Sequence, residues 1–294
     1  MTSPVVGLPE RAAAGQRFER AGATFDGADA VHAEARKRLI ERLAWFKLAP
    51  RWVLDVGTAT GTASLELAQR FPDARVLGVD LSSAMIRRAQ RRCAGLPAMT
   101  PIRGDAERLP LAAATVDLVF ANMVLPWCAP EALFGEAARV LRDGGLLLFA
   151  TVGPDTLQEV RRAWSEVDDS IHVHGFIDMH DLGDLAAQAG LAEPVMDVDR
   201  LQVTYRDVGS LVADLRACGA VNVAFGRRAS LTGPDRWRAF HDRLAASRIR
   251  GRLAITVELV FGQAWGAGSG SSMRRGGDVM VSVEDMARAL RRGR

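Results

Sequence analysis

Trp52-Val53-Leu54-Asp55-Val56-Gly57-Thr58-Ala59-Thr60-Gly61 decides the fold of this chain. A short apolar run closed by glycine reads as a strand buried on both faces, as in a parallel sheet. A loop with two glycines follows, then a helical stretch from Thr62 to Arg70. Outward from there the period keeps switching. Pro72-Asp73 turns the chain, and Arg75 to Val79 reads as a second strand ending at Asp80. Ser82 or Ser83 caps a helix to about Cys93. Met99–Arg103 and Val116–Ala121 are the next strands, and Pro130–Leu141 is a helix stopped by Asp143-Gly144-Gly145. Leu146–Val152 is a fifth strand. This alternation predicts an α/β fold with a doubly wound, mostly parallel sheet and helices on both faces.

The flanks read differently. Arg11–Leu48 has helical spacing, one or two helices long, behind a loose lead-in at residues 1–10. Beyond the core, residues 154–168, Asp178–Ala189, Asp207–Ala217 and Pro234–Ser247 look helical. Val195–Tyr205 and Leu253–Phe261 look like strands. Gly262–Gly277 is rich in Gly and Ser and reads as a flexible linker. Val283–Arg292 is a short basic helix or disordered.

Charge excludes some functions. The 38 basic residues against 35 acidic ones leave +3, too little to point to nucleic acid by itself. Only Lys37 and Lys47 are lysines, so 36 of the 38 are arginines. Cys93, Cys128 and Cys218 are scattered and odd in number, which suggests reduced thiols in a cytoplasmic protein. No apolar run approaches the length of a membrane span.

In an open α/β sheet, ligands bind beyond the carboxyl ends of the strands. Gly57 and Gly61 allow a tight turn and a close approach, suited to a phosphate or an amino-acid carboxylate at the next helix. No Gly-Lys-Ser/Thr follows, so this is not a P-loop, and the spacing is G-x-A-x-G rather than G-x-G-x-x-G. Asp80 ends the second strand about 20 residues on, where an acid accepts hydrogen bonds from ribose hydroxyls. Asp105 either binds an adenine amino group or caps the following turn.

Five motifs in order carry a resemblance. They are the Asp55–Gly61 loop, Asp80, Gly104-Asp105-Ala106-Glu107-Arg108-Leu109-Pro110, Asp117–Asn122, and Val140–Gly145. Together they resemble the class I S-adenosylmethionine-dependent methyltransferases. The resemblance implies a Rossmann-like sheet of seven strands whose last strand is antiparallel, with Leu253–Phe261 as that strand. It implies cofactor contacts from Asp55, Gly57, Thr58, Gly61, Asp80, Leu81, Asp105, Ala106 and Asn122. The chain then divides into a helical segment or lid at 1–48, a cofactor core at 49–152, insertions with the last two strands at 153–262, and a tail at 263–294.

A narrower resemblance spans most of the chain. Phe18–Ala21 with Ala23–Asp26, Leu125–Cys128, Phe149–Leu157, Phe176–Asp184, Leu231–Gly233 and Val260–Trp265 are similar to the malonyl-[acyl-carrier-protein] O-methyltransferases of biotin synthesis. That family methylates the free carboxylate of malonyl carried on acyl carrier protein. Malonyl-coenzyme A is the other candidate acceptor. The resemblance leaves open another small-molecule methyltransferase, or an assembly factor or hydroxylase of changed role. Four positions depart from the family pattern: Ala59 replaces a glycine, Thr58 stands where the family often has cysteine, Phe25 replaces a tyrosine and Gln263 a histidine. Ala59 is compatible with the loop if its φ is negative.

A carboxylate is already ionised at pH 7, so methyl transfer to it needs no general base. An arginine is expected to hold that carboxylate through a two-pronged contact, Arg161 or Arg162 on the helix after the fifth strand. Trp127 either walls the substrate channel or anchors its loop. His172, His174, Asp178, His180, Asp181 and Asp184 form the richest metal-like cluster, but Asp178 reads better as a helix cap, and no metal is expected. Acyl carrier proteins are acidic, so the placement of Arg161, Arg162, Arg227 and Arg228 around the site separates a carrier-protein enzyme from a small-molecule one.

Overall fold

The computed structural model describes residues 9–228 and 230–267. The expected lead-in at 1–8, the linker beyond 267 and the basic segment at 283–292 lie outside those residues. Seven strands form one sheet: β1 (Trp52–Val56), β2 (Arg75–Asp80), β3 (Met99–Arg103), β4 (Val116–Asn122), β5 (Leu141–Val152), β6 (Leu191–Tyr205) and β7 (Leu253–Gly266). Their spatial order is β3-β2-β1-β4-β5-β7-β6. All neighbours pair in parallel except β7, which is antiparallel to both β5 and β6. The order reverses between β1 and β4, and this is where an α/β sheet opens a crevice.

Among the described residues, nine helices flank the sheet: α1 (Arg11–Ala21), α2 (Ala30–Arg42), α3 (Thr62–Arg70), α4 (Ser83–Arg92), α5 (Pro130–Val140), α6 (Gln158–Ser165), α7 (Met179–Gln188), α8 (Val208–Ala217) and α9 (Pro234–Ala246). Side chains on β4 alternate between the two faces. Leu118 and Phe120 join the core under α2 and α3, whereas Val119 and Ala121 join the core under α5 and α7. With both faces buried, an uninterrupted apolar strand is the stable choice. A third cluster sets Val160 and Trp164 of α6 against Leu211 of α8, Phe240 of α9 and Ile255 of β7. It caps the carboxyl ends of the sheet.

Several boundaries differ from the sequence reading, each for a local reason. β5 starts at Leu141, because Gly144 at φ +70 absorbs a bulge and leaves Leu141 paired with Val116. α6 starts only at Gln158, because residues 153–157 cling to β7. There the Leu157 N–H donates to the Thr256 carbonyl and the Asp155 N–H to the Glu258 carboxylate. β6 begins four residues early, at Leu191, with a register shift between Ala192 and Val195. The linker reading is corrected in its first residues. Gln263, Ala264 and Trp265 continue β7 against Leu148, Leu147 and Leu146. A Cβ at position 262 would meet the Phe149 ring at 2.2 Å, so Gly262 serves close packing rather than flexibility.

Candidate active site

The β1–α3 loop turns on left-handed backbone. Gly57 has φ +72, and a Cβ there would meet Val124 at 2.8 Å. The N–H groups of Gly57 and Thr58 both donate to the Val79 carbonyl, at 2.8 and 3.0 Å, which ties the loop to β2. Ala59 has φ +48, not the negative value its methyl group favours. Beneath the loop, buried Asp55 accepts the Ser64 hydroxyl at 2.6 Å, and Thr58 bonds that same hydroxyl at 2.8 Å. Burial pushes the Asp55 carboxyl up to about 6, against the opposing pull of these hydroxyls.

Asp80 bridges two loops. One oxygen accepts the Ala59 N–H at 3.0 Å and the other the Ser82 N–H at 2.8 Å. Burial also pushes this carboxyl up to about 6. Asp55, Gly57, Thr58, Asp80, Leu81, Asp105, Ala106 and Asn122 all line one cleft of about 1030 Å³. Gly61, the ninth expected residue, does not line it. Gly61 enters α3 at φ +84 with Ala89 packed against it. Asp105 lines the cleft and also closes the following turn, accepting the Glu107 N–H at 3.0 Å.

The N-terminal helices roof the cleft. Arg11 of α1 pairs with Asp105 and, at 3.0 Å, with Glu107. Glu19 of α1 accepts the Ser82 hydroxyl at 2.7 Å and the Ala84 N–H at 2.9 Å, at the start of α4. Asp26 accepts the Thr60 hydroxyl and pairs with Arg92 at 3.0 Å. Phe25 is buried in the roof, edge-on to His32. Gln263 lies in β7 and touches neither this cleft nor the next cavity.

A second, more apolar cavity of about 1350 Å³ adjoins the first. His32, Met123 and Trp127 line both. Trp127 stands edge-on to Phe18 of α1 at 5.0 Å and to His174 at 5.1 Å. Both ring nitrogens of buried His174 lack a hydrogen-bond partner, as do His32 Nδ1 and Asn122 Oδ1. Burial pushes both imidazoles down to about 4, so they are neutral at pH 7. Unpartnered buried polar atoms aimed at two joined cavities fit a ligand that itself supplies donors and acceptors.

Arg161 does not line the second cavity. It stands behind the wall, half-buried, donating to the Pro154 carbonyl at 3.1 Å and to the Thr156 carbonyl at 3.3 Å. Thr156 lines the cavity, and the Arg161 charge is felt at His174. Asp155, the acid whose charge reaches Arg161, is itself paired with Arg200. Arg162 is exposed, and Arg227 pairs with Glu10 at 2.8 Å. The metal-like cluster disperses into other roles. His172 stacks on Trp164 at 3.6 Å and bonds Asp168, while Asp178 caps α7 through the His180 N–H. Among the described residues, no three such side chains gather as metal ligands.

Sequence reading singled out neither His32 nor Met123 as site residues, and it weighed His174 only as a metal ligand. His32 sits in an amphipathic helix where its spacing resembles any solvated position. The Asp29 three residues before it, at the start of α2, was the one local cue. Tyr205, which lines the second cavity and donates to Asp214 at 2.7 Å, was hidden at a strand end.

Comparison with known proteins agrees with this architecture. The Methyltransferase domain family matches residues 53–145, the glycine loop through β4 and the turn beyond α5. The YcgJ protein of Bacillus subtilis has a similar fold, with a TM-score of 0.56 at 16% identity over 79% of this chain and 98% of that one. The malonyl-[acyl-carrier protein] O-methyltransferase of Gallionella capsiferriformans is 40% identical over 85% of this chain and 89% of its own length. The one from Laribacter hongkongensis is 43% identical over 84% and 86%. Identity at that level extends over more than four-fifths of both proteins, well beyond residues 53–145. The chain belongs to the malonyl-[acyl-carrier protein] O-methyltransferase family.

Proposed function

We propose that the protein transfers the methyl group of S-adenosyl-L-methionine to the free carboxylate of a malonyl thioester, carried on acyl carrier protein, in biotin synthesis. The observation that carries this reading is the junction of two cavities at His32, Met123 and Trp127. The first has the acids and the glycine turn that suit a nucleoside. The second is lined mainly by apolar side chains that suit an acyl arm. When bound, the cofactor supplies a methyl group on a cationic sulfur, which a carboxylate oxygen displaces in line.

The residues of this chain bind, orient and exclude water. Asp80 accepts ribose hydroxyls, Asp105 and Ala106 border the base, and Asp55 with Thr58 holds the loop from below. Gly57 lets the backbone approach, and Leu81 and the α1 roof shield the cleft. Gly61 acts through the shape of the turn. Asn122 offers its unpartnered oxygen. Trp127 walls the junction and contacts both reactants. Arg161 supplies the charge that attracts the malonyl carboxylate, with Thr156 and His174 between them. Neutral imidazoles at His32 and His174 add no cation beside the sulfonium. Alignment alone can lower such a barrier by about 7–11 kcal/mol.

No helix among the described residues is long and apolar enough to cross a membrane. The reading is tested with labelled cofactor offered with malonyl carrier protein and, separately, with malonyl-coenzyme A. A base-labile labelled ester on the carrier is expected. No ester on either acceptor would overturn the assignment.

A further inference from the structure

We propose that Arg228, Arg236 and Arg238, beside exposed Leu231 and Trp237 at the opening of the second cavity, form the docking surface for the acyl carrier protein. This rests on the carrier-bound malonyl reading above. Among the residues lining that cavity, Arg216 and Trp237 are the exposed ones. The opening therefore lies between the last turn of α8 and the first turn of α9. An acyl arm entering there runs past Trp237 and Phe240 toward the junction at Trp127.

Arginine is concentrated on the segment that holds this opening. Residues 227–252 hold eight arginines and two aspartates, a formal +6 in a chain whose total is +3. The rest of the chain is thus net acidic, and the arginine excess is local. Two of the eight are neutralised within the fold, Arg227 by Glu10 at 2.8 Å and Arg243 by Glu166 at 3.1 Å. Arg228 and Arg236 stand 4.0 and 3.9 Å from one carboxylate, Asp168, which already bonds His172. Arg238 pairs only with its helix neighbour Asp235, 96% exposed, and both are open to solvent. Arg248, Arg250 and Arg252 are exposed but follow the far end of α9, where Arg248 reaches the Arg206 carbonyl. Apolar groups stand beside the arginines at the near end: Leu231 is 95% exposed and Trp237 37%. A patch of exposed apolar side chains rimmed by like charges marks a contact surface. Its complement is an acidic protein that delivers a long, thin acyl arm, which matches a carrier protein rather than a free metabolite.

The test compares three proteins with wild type. One carries Arg228→Glu, Arg236→Glu and Arg238→Glu. A second carries Leu231→Glu and Arg238→Glu, which leaves Asp168 and the cavity wall untouched. A control carries Arg51→Glu and Arg70→Glu, exposed positions at the opposite, amino end of the strands. Thermal melting and cofactor binding establish that each is folded. For both docking variants, kcat/KM on malonyl carrier protein should fall at least about tenfold, and the salt dependence of the wild-type rate should flatten. On malonyl-coenzyme A they should stay within about twofold of wild type, as should the control on both substrates. Unchanged rates on the carrier, or equal losses on both substrates, would overturn the proposal. Binding of the unacylated holo-carrier is measured in parallel, without turnover. A wild type that methylates neither substrate sinks the functional reading, while holo-carrier binding still tests the surface: loss in the variants upholds it, and no binding by wild type overturns it.

Discussion

Asp80→Asn probes the cofactor cleft most sharply, because both oxygens of Asp80 already accept backbone N–H groups from different loops. An amide keeps one acceptor and turns an NH2 toward the other N–H, so one loop loses its tie. It also removes the charge that strengthens hydrogen bonds from ribose hydroxyls, each such bond being worth about 1.5–3 kcal/mol. Two of them correspond to cofactor affinity weaker by at least about a hundredfold at pH 7. The pH dependence supplies a second signature. With the Asp80 carboxyl near about 6, roughly a tenth is ionised at pH 5 and about nine-tenths at pH 7. Wild-type affinity should therefore rise about tenfold between those pH values, and the variant should lack the Asp80 share of that rise. Asp55 is raised to a similar value and its charge helps to raise Asp80, so an Asp55→Asn variant measured at the same pH values separates the two shares.

Stability without ligand should move the opposite way. A carboxyl whose folded value lies above its unfolded one stabilises at low pH, and that contribution is lost as pH rises through about 6. Between pH 5 and 7 the loss from Asp80 is about 1 kcal/mol, and it should be absent in the variant. Isothermal titration at pH 5, 6 and 7, with urea unfolding at the same values, measures both. An asparagine variant that binds within twofold of wild type at pH 7, or a wild-type affinity flat across the range, would refute the reasoning.

Three further outcomes are expected. Ala59→Gly relieves a left-handed alanine, worth about 1–2 kcal/mol, against about 0.4–1 kcal/mol of added chain freedom in the unfolded state. Urea unfolding should show a net gain of about 0.5–1 kcal/mol, and a loss would mean the loop conformation is different. Arg161→Gln should raise KM for the malonyl substrate by about tenfold or more while leaving cofactor affinity unchanged, in steady-state kinetics paired with calorimetry. Glu19→Ala frees α1 from Ser82 and Ala84, and cofactor release in stopped-flow should quicken by about threefold to tenfold; an unchanged rate would mean α1 is not a lid.

The sheet was legible because its strands are buried on both faces and broken by glycine and proline. Limits such as Thr62–Arg70 and Met99–Arg103 emerge from that punctuation alone. The cofactor cleft was legible for the same topological reason, since it sits where strands end. Boundaries failed where tertiary contacts overrode local pattern. Gly262 looked like the start of a linker because glycine carries no side chain, yet Phe149 fills the space a side chain would take. Residues 153–157 looked helical, but Glu258 and Thr256 of β7 capture their N–H groups first. The second cavity was illegible because it is assembled from α2, α6, α8 and α9, elements far apart in sequence whose apolar faces resemble ordinary core. Arg161 was identified by position after β5, but its place behind Thr156 rather than on the wall depends on the clinging turn at 153–157.

The most direct measurement is intact-mass analysis of malonyl carrier protein after incubation with the purified protein and S-adenosyl-L-methionine. A gain of one methyl ester on the malonyl group, reversed by mild base and absent when the carrier bears acetyl in place of malonyl, is predicted. An unmodified malonyl carrier, with the protein folded and the cofactor bound, would contradict it.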